Sequence, residues 1–302
     1  MGDGTARKRP RDSNAWKPPE SWCFGDFGDK DGQLEYPIDV LVNAKGEFLV
    51  LEENSKGQNT IQRIQLFDNH GRYMTTLVQR GKNGVSSMSD MALDNEGNVV
   101  VSLKDEGDVG RVRVYDMQGE CVRVVDVIVS NPEFPPFFTC VAVDHVGRIL
   151  AVEHNEMCIH VYSSDGIFLF KFGKWDHNAG EGTFDNIYSL HCSQADQIYA
   201  CDPFHRVQVF DNKGSFVRSL RPCGTVPTNL IVMDEQRLVY GINRDAHALE
   251  AYSLDGSKVL RKFGGFGNEL GKLWSPMGTA MTLDGRIAVA ERESHRIQVV
   301  KM

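Results

Sequence analysis

The segment Val207-Gln208-Val209-Phe210-Asp211-Asn212-Lys213-Gly214 indicates the fold of this 302-residue chain, because versions of it recur along the sequence. Each version is an apolar run that ends in Tyr or Phe, followed by a turn that closes on glycine. The other complete versions are IQLFDNHG at 64–71, VRVYDMQG at 112–119, IHVYSSDG at 159–166 and LEAYSLDG at 249–256. The closing glycines lie 48, 47, 48 and 42 residues apart, and a sixth version, IQVV, begins at Ile297. The spacing indicates one structural unit repeated six times.

A second recurring segment precedes each of these runs. Examples are VDHVGRILAVE at 143–153 and MTLDGRIAVAE at 281–291, each of which reads as two strands joined by a tight turn. Each unit therefore contains four short strands, named a to d in chain order. A period in the forties with four strands per unit predicts an all-β, six-bladed β-propeller of four-stranded antiparallel blades.

Two linkers between units share the pattern FGxFGxxxGxLxxP, at 24–37 and at 263–276. Because the sixth unit ends at its c strand, we expect residues of about 20–25 to supply its d strand and close the ring, which removes an exposed sheet edge. The predicted propeller spans residues 20–302. Residues 1–19, which contain ARKRPR and paired prolines, are predicted to be a disordered leader or linker.

Composition narrows the class of protein. A net charge of −8 argues against a generally basic nucleic-acid surface. The seven cysteines contain no CxxC pair, which favours buried reduced thiols over a disulfide framework. No run approaches the roughly 18 apolar residues of a membrane span, and the N-terminus is charged where a signal peptide would be apolar, so we expect a cytoplasmic protein. We also expect the propeller to be a monomer.

The sequences SHRIQV at 294–299 and FHRVQV at 204–209 resemble the NHL motif, in which a b strand ending in an acid leads into an HRIQVF-like c strand. The resemblance covers residues 22–302 and is to the NHL-repeat β-propeller, as in the C-terminal domain of TRIM-NHL proteins. The asparagine of the motif is missing from every copy. Only units 1, 4 and 6 keep both the acid and the arginine, and we expect these pairs to be structural: Glu52 with Arg63, Asp202 with Arg206, and Glu291 with Arg296.

An enzymatic role is not predicted. His205, His247 and His295 each open a c strand, at least about 10 Å from the ring axis, so they are too far apart to share a metal ion. The chain also lacks GxSxG, GxxxxGK[ST] and HExxH motifs. We expect no catalytic residues, no metal and no cofactor.

The resemblance implies single-stranded RNA as the ligand, with U-rich targets expected, in post-transcriptional regulation. In RNA-binding members of the family, residues after the strand-b acid and residues flanking the strand-a proline contact RNA. Aromatic side chains of this set suit base stacking, amides suit base edges, and basic residues suit phosphates. The predicted RNA-binding residues are Tyr36, Lys82, Lys104, Phe137, His154, Asn155, Lys174, Asn186, Tyr188, Phe204, Arg221, Asn243, Arg244 and Arg292.

The alternative is protein recognition. The same loops contain acids such as Glu53, Glu156, Asp245 and Glu293, which would repel a phosphate backbone. A mixed-charge face with aromatic residues also suits a substrate-docking domain of a TRIM-type ubiquitin ligase, whose partners would be ubiquitination substrates. Any ligase activity would then lie outside this chain.

Overall fold

A computed structural model of the chain describes residues 21–302 apart from eight gaps, at 57–58, 81–86, 105–108, 126–134, 179, 203–205, 221–226 and 234–235. At 55, 56, 59 and 60 it describes the backbone alone. The predicted leader over residues 1–19 therefore lies outside the described residues, and the boundary at residue 20 stays a prediction.

The described residues form six four-stranded antiparallel sheets, as predicted, and no helix. The first strand of the chain, β1 (Ser21–Phe24), belongs to the last blade. Blades 1 to 3 are built from β2 (Tyr36–Val42), β3 (Phe48–Lys56), β4 (Asn59–Phe67) and β5 (Tyr73–Arg80); β6 (Ser87–Leu93), β7 (Val99–Lys104), β8 (Gly110–Tyr115) and β9 (Cys121–Val124); β10 (Phe138–Val143), β11 (Ile149–Glu153), β12 (Cys158–Tyr162) and β13 (Phe168–Phe172). Blades 4 to 6 are built from β14 (Ser189–Cys192), β15 (Ile198–Asp202), β16 (Arg206–Phe210) and β17 (Phe216–Leu220); β18 (Leu230–Met233), β19 (Leu238–Asn243), β20 (Ala248–Ser253) and β21 (Val259–Gly264); β22 (Pro276–Met281), β23 (Ile287–Glu291) and β24 (Arg296–Val300).

The ring is closed by the N-terminal strand, which confirms the prediction for residues 20–25. Strand β1 pairs antiparallel with β24, and Ser21 lies opposite Val300 while Phe24 lies opposite Ile297. The innermost strands β2, β6, β10, β14, β18 and β22 contact one another in this order, and β22 contacts β2 again. A central channel therefore runs along the a strands.

The hydrophobic core lies between the blades. Every residue of β11 and β12 is buried, because neighbouring blades cover both faces of these strands. The outermost strand β13 alternates between half-buried and exposed residues, as a strand with one solvated face does. The apolar runs that define the repeat are therefore the middle strands of the blades.

The acid–arginine pair of blade 1 anchors the linker that precedes the blade. Arg63 is 5% exposed and forms an ion pair with the buried carboxylate of Glu52. Its guanidinium also donates to the carbonyl oxygens of Asp29, Lys30 and Gln33, at 3.1, 3.0 and 2.9 Å. A charge-assisted network of this kind fixes the linker against blade 1.

Blade 6 repeats the arrangement. Arg296 donates through Nε to Glu291 at 2.7 Å and through its other nitrogens to carbonyl oxygens of the linker at 268–272. In blade 4, Arg206 donates to the carbonyl oxygen of Gly180 at 2.6 Å. The predicted structural role of the pairs is confirmed in blades 1 and 6.

Candidate functional site

The b–c loops and the d–a linkers lie at the same end of the blades, because consecutive strands of each blade are antiparallel. We call this end the loop face. Its described parts include the b–c loops at 154–157, 244–247 and 292–295 and the linkers at 25–35 and 265–275. The a–b and c–d turns form the opposite face.

A cavity of about 250 Å³ opens at the mouth of the channel on the loop face. Four of the predicted RNA-binding residues line it, from three different blades and their linkers: His154, Asn186, Tyr188 and Arg244. The fold thus brings together an imidazole, an amide, a phenol and a guanidinium that are up to 90 residues apart in the sequence. The combination offers stacking, hydrogen-bonding and cationic groups at one opening.

The side chains at this mouth reach solvent to different degrees. Tyr188 is 42% exposed, and Arg244 is exposed with no side-chain hydrogen bond or ion pair to any described residue. Asn186 accepts a hydrogen bond from the amide of Ile187 through Oδ1. His154 packs edge-on against Phe137, with ring centroids 5.8 Å apart.

Four other predicted residues form two cation–π pairs outside this cavity. The Nζ atom of Lys104 lies 5.4 Å from the ring centroid of Phe137, and Cζ of Arg292 lies 5.0 Å from that of Tyr36. Arg292 also forms an ion pair with Glu53 at 3.7 Å. The positive charge of Arg292 is therefore partly compensated before any ligand binds.

The sequence predicted that Asn243 follows the strand-b acid of its blade, and the structure places Asn243 at the acid position itself. It lies opposite Ala248, as Glu52 lies opposite Arg63, so it occupies the position of the strand-b acid. Asn243 is 7% exposed, its Oδ1 accepts from the amide of Ala246, and its Nδ2 donates to a buried carboxylate. The amide is committed to the fold, so the residue after the acid position in blade 5 is Arg244.

The remaining predicted residues do not line the cavity. Lys174 is exposed, and Asn155 donates through Nδ2 to the carbonyl oxygen of Pro135 at 2.9 Å. Lys82, Phe204 and Arg221 lie outside the described residues.

A pair of carboxyl groups, which sequence reasoning missed, lies at the inner end of the cavity. Asp39 and Asp90 belong to the a strands of neighbouring blades, and both line this cavity. Burial raises the pKa of Asp90 to about 7, and burial followed by repulsion from Asp90 raises the pKa of Asp39 well above its usual value. The pair therefore retains a proton at neutral pH.

Both acids also border a cavity of about 200 Å³ on the other side, which His191 and Cys192 help to line. The carboxyl pair thus lies between the two openings of the channel. The sequence signal for it was an acid in the middle of an apolar a strand, as in YPIDVLV at 36–42.

His247 and His295, which immediately precede c strands, have structural roles. His247 and His295 both have left-handed backbone conformations, with φ of 48° and 55°. Nδ1 of His247 accepts a hydrogen bond from the amide of Ser275 at 3.1 Å, and Nδ1 of His295 lies against the carbonyl oxygen of Glu35. Each ring therefore ties a b–c loop to the start of a neighbouring a strand, while His205 lies outside the described residues.

Three exposed aromatic residues of the linkers were also missed. Phe27, Trp175 and Phe266 are 63%, 59% and 66% exposed, and each forms an isolated β-bridge to a buried apolar residue later in its linker. The second aromatic of the FGxFG pattern marks two of them, and FGKW marks Trp175. They add apolar area to the loop face.

No family model matches the chain. The protein brain tumor of Drosophila melanogaster is 29% identical over 158 residues, which are 51% of this chain and 14% of that protein. The B-box type zinc finger protein ncl-1 of Caenorhabditis elegans is 28% identical over 153 residues, which are 49% of this chain and 16% of that protein. The match thus covers a small part of each relative and about half of this chain.

Solved structures share the fold at low sequence identity. An auxiliary nutrient binding protein from Bacteroides ovatus has a TM-score of 0.66 at 13% identity, with 93% of this chain and 76% of that chain covered. A streptogramin B lyase has a TM-score of 0.60 at 10% identity, with 92% of this chain and 96% of that chain covered.

None of the residues that the structure describes forms a helix long and apolar enough to cross a membrane. The chain is thus a six-bladed β-propeller that is similar over about half of its length to brain tumor and ncl-1, and its architecture is consistent with NHL repeats.

Proposed function

We propose that this propeller recognises single-stranded RNA at the mouth of its central channel, as a cytoplasmic, non-catalytic module of post-transcriptional regulation. The observation that supports the proposal most is the cavity lined by His154, Asn186, Tyr188 and Arg244. Single-stranded RNA is recognised by stacking on aromatic rings, by polar contacts to base edges and by cations on phosphates. One opening on the loop face offers all three.

Each side chain has a distinct role in the proposed interface. The exposed ring of Tyr188 stacks on a base, and Nδ2 of Asn186 donates to a base edge, since Oδ1 is already bonded within the chain. Arg244 binds a phosphate beside the cavity. At about 250 Å³ the cavity is smaller than most small-molecule pockets, which measure about 300–1,000 Å³, so it suits the edge of one base better than a whole metabolite.

The electrostatics predict binding with few phosphate contacts. The chain has a net charge of −8, and the charge of Arg292 is partly compensated by Glu53. Among the described residues that line the cavity, Arg244 alone supplies an exposed guanidinium. We therefore expect the affinity to depend weakly on salt, with a slope of about 0.7 in log affinity per log salt for each phosphate bound.

The test is fluorescence anisotropy with labelled short single-stranded RNAs, both a random pool and a U-rich oligonucleotide. Tyr188→Ala should weaken binding roughly 5- to 150-fold, which corresponds to the 1–3 kcal/mol of one base stack. Arg244→Ala should weaken binding and lower the salt slope by about one phosphate. Lys213→Ala is the matched control, because it removes one exposed positive charge from a c–d turn on the opposite face.

Binding that is equal in the wild type, both loop-face variants and the control would contradict an interface at this mouth. Absence of measurable affinity for every RNA would contradict the RNA proposal as a whole.

The exposed linker aromatics favour a second candidate, a protein-docking face for ubiquitination substrates. Phe27, Trp175 and Phe266 are large and more than half exposed, and such residues are enriched in protein interfaces. Trp175→Ala separates the two functions, because Trp175 does not line the cavity. If Trp175→Ala loses binding to a protein partner and keeps its RNA affinity, the result supports protein docking at the linkers. If Arg244→Ala loses RNA affinity and keeps binding to the protein partner, the result supports RNA binding at the mouth.

A further inference from the structure

A cluster of possible metal ligands lies in blade 3, outside the channel cavity. Glu156 is in the b–c loop, and Cys158 and His160 are alternate residues of β12, so their side chains lie on the same face of the strand. One ligand atom from each of the three lies within 4.8 Å of the others. The proposed RNA interface uses none of these residues.

The spacing is close to that of a tetrahedral zinc site. Zinc bonds of about 2.0–2.3 Å at tetrahedral angles place neighbouring ligand atoms about 3.3–3.5 Å apart. Sγ of Cys158 already lies 3.7 Å from Oε2 of Glu156. The other separations need to shorten by at most about 1.5 Å, which side-chain rotation provides.

The imidazole of His160 supplies an independent observation. The residue is 2% exposed, and its Nε2 is buried without a hydrogen-bond partner among the described residues, which is rare for a polar atom in a protein interior. Its Nδ1 lies 3.0 Å from the hydroxyl of Tyr162. When Nδ1 donates to that hydroxyl, Nε2 presents its lone pair, as in histidines whose outer hydrogen bond orients them toward a metal.

The protonation state of the histidine is also suited to a cation. Burial and then the nearby Lys171 lower the pKa of His160 to about 4, so the ring is neutral and able to coordinate at physiological pH. Burial raises the pKa of Cys158 to about 12, so the free chain holds a thiol there, and a bound metal must displace its proton.

We propose that Glu156, Cys158 and His160 form a three-ligand site for Zn²⁺. Binding releases the thiol proton of Cys158 to solvent and leaves a thiolate, a carboxylate and a neutral imidazole on the ion, with water in the fourth position. A mixed set of sulfur, nitrogen and oxygen ligands suits zinc better than the hard, oxygen-preferring cations Ca²⁺ and Mg²⁺.

Lys171 is the internal competitor for this site. Its ammonium forms an ion pair with Glu156, and 42% of its side chain is exposed, so it can turn into water when a metal arrives. The metal would then tie Glu156 to β12, and the same b–c loop contains His154 at the channel mouth. The site would stiffen one wall of the proposed RNA interface.

The test is titration of the untagged, reduced chain with Co²⁺, whose thiolate complexes absorb in the near ultraviolet, followed by displacement with Zn²⁺. One equivalent of Co²⁺ should give a thiolate charge-transfer band, and Zn²⁺ should remove it. Cys158→Ala should abolish the band. Cys121→Ala is the control, because Cys121 is an exposed free cysteine of another blade, and it should leave the band unchanged.

The Lys171→Met variant should gain Zn²⁺ affinity, and it keeps all three proposed ligands. Removal of the competing ammonium should tighten Zn²⁺ binding by up to about fivefold, measured by competition with a chromophoric chelator, because this half-exposed ion pair no longer has to break. Absence of a saturable band in the wild type, a band that survives Cys158→Ala, or unchanged affinity in Lys171→Met would overturn the proposal.

Discussion

Substitution of Asp90 by asparagine should change how the stability of the ring depends on pH. Asp90 and Asp39 lie on neighbouring a strands and border the same two cavities, and Oδ2 of Asp90 accepts a hydrogen bond from the amide of Val141 at 2.9 Å. The asparagine side chain would keep an oxygen for that amide and is close in size to the carboxyl group, so the geometry survives. The variant therefore removes an ionisation with little change in shape.

Proton linkage determines whether the free energy of unfolding rises or falls with pH. A carboxyl group whose pKa is raised in the folded state binds its proton more tightly there than in the unfolded chain. Its stabilising effect is complete below the unfolded pKa of about 3.9 and is lost as the pH rises through the folded value of about 7. A shift of about three pH units corresponds to a ceiling on the order of 4 kcal/mol. Asp90→Asn should be increasingly more stable than the wild type as the pH rises from 4 to 8.

The assay is urea unfolding of both proteins at pH 5, 6, 7 and 8, with the difference in unfolding free energy compared across pH. The difference in unfolding free energy between the two proteins removes the contributions of groups that both share. One such group is His160, whose pKa is lowered to about 4 and whose contribution to stability therefore rises with pH. Asp165→Asn, an exposed acid of a c–d turn, is the control. A difference between Asp90→Asn and the wild type that stays constant or falls with rising pH would show that the pKa of Asp90 is not raised in the folded ring.

Three further predictions concern the stability of the ring, each measured by thermal and urea unfolding. Phe24→Ala should cost about 3–5 kcal/mol, because this ring of the closing strand is 8% exposed and packs between two phenylalanines of blade 1; an unchanged midpoint would argue against closure by β1. Arg63→Met should cost about 3–5 kcal/mol, since it leaves the buried carboxylate of Glu52 without its cation, and a neutral result would mean that the pair does not hold the linker. Gly119→Ala should destabilise by about 1 kcal/mol or more, because φ is +85° and a Cβ would lie 2.0 Å from a backbone oxygen of blade 1; full tolerance would place the c–d turn elsewhere.

The fold followed from the sequence because its signals are local and repeated. The turn glycines, such as Gly214 with φ of +81°, lie in the left-handed region that glycine adopts without strain. The apolar runs between them are strands covered on both faces. The matching linkers at 24–37 and 263–276 then predicted that residues of about 20–25 form the d strand of the sixth blade.

The site was less predictable because its geometry depends on which residues meet across blades. Asp39 and Asp90 are 51 residues apart, and Glu53 and Arg292 are more than 200 apart, so no local pattern reports their contact. Their proximity depends on the register of β2 and on ring closure. The sequence placed basic residues on the loop face and did not show which of them already have partners.

In blade 5 the exposed loop residue lies one position later than Asn243, which the sequence had also placed in the interface. In blade 5 the expected acid is replaced by Asn243, which lies opposite Ala248 and bonds within the loop, so its neighbour Arg244 takes the exposed position. The cluster of Glu156, Cys158 and His160 was visible as an alternation of metal-ligating residue types. Its significance appeared only when the burial of His160 and the lack of a described partner for its Nε2 were seen.

Photocrosslinking locates bound RNA on the propeller and distinguishes the channel mouth on the loop face from the opposite face. A short U-rich RNA containing 4-thiouridine is irradiated with the purified chain, and the crosslinked peptides are identified by mass spectrometry. The proposed interface predicts crosslinks to peptides that contain Tyr188 or His154, and their loss when unlabelled RNA competes. Crosslinks confined to the opposite face around Lys213, or none above the background of unmodified RNA, would contradict it.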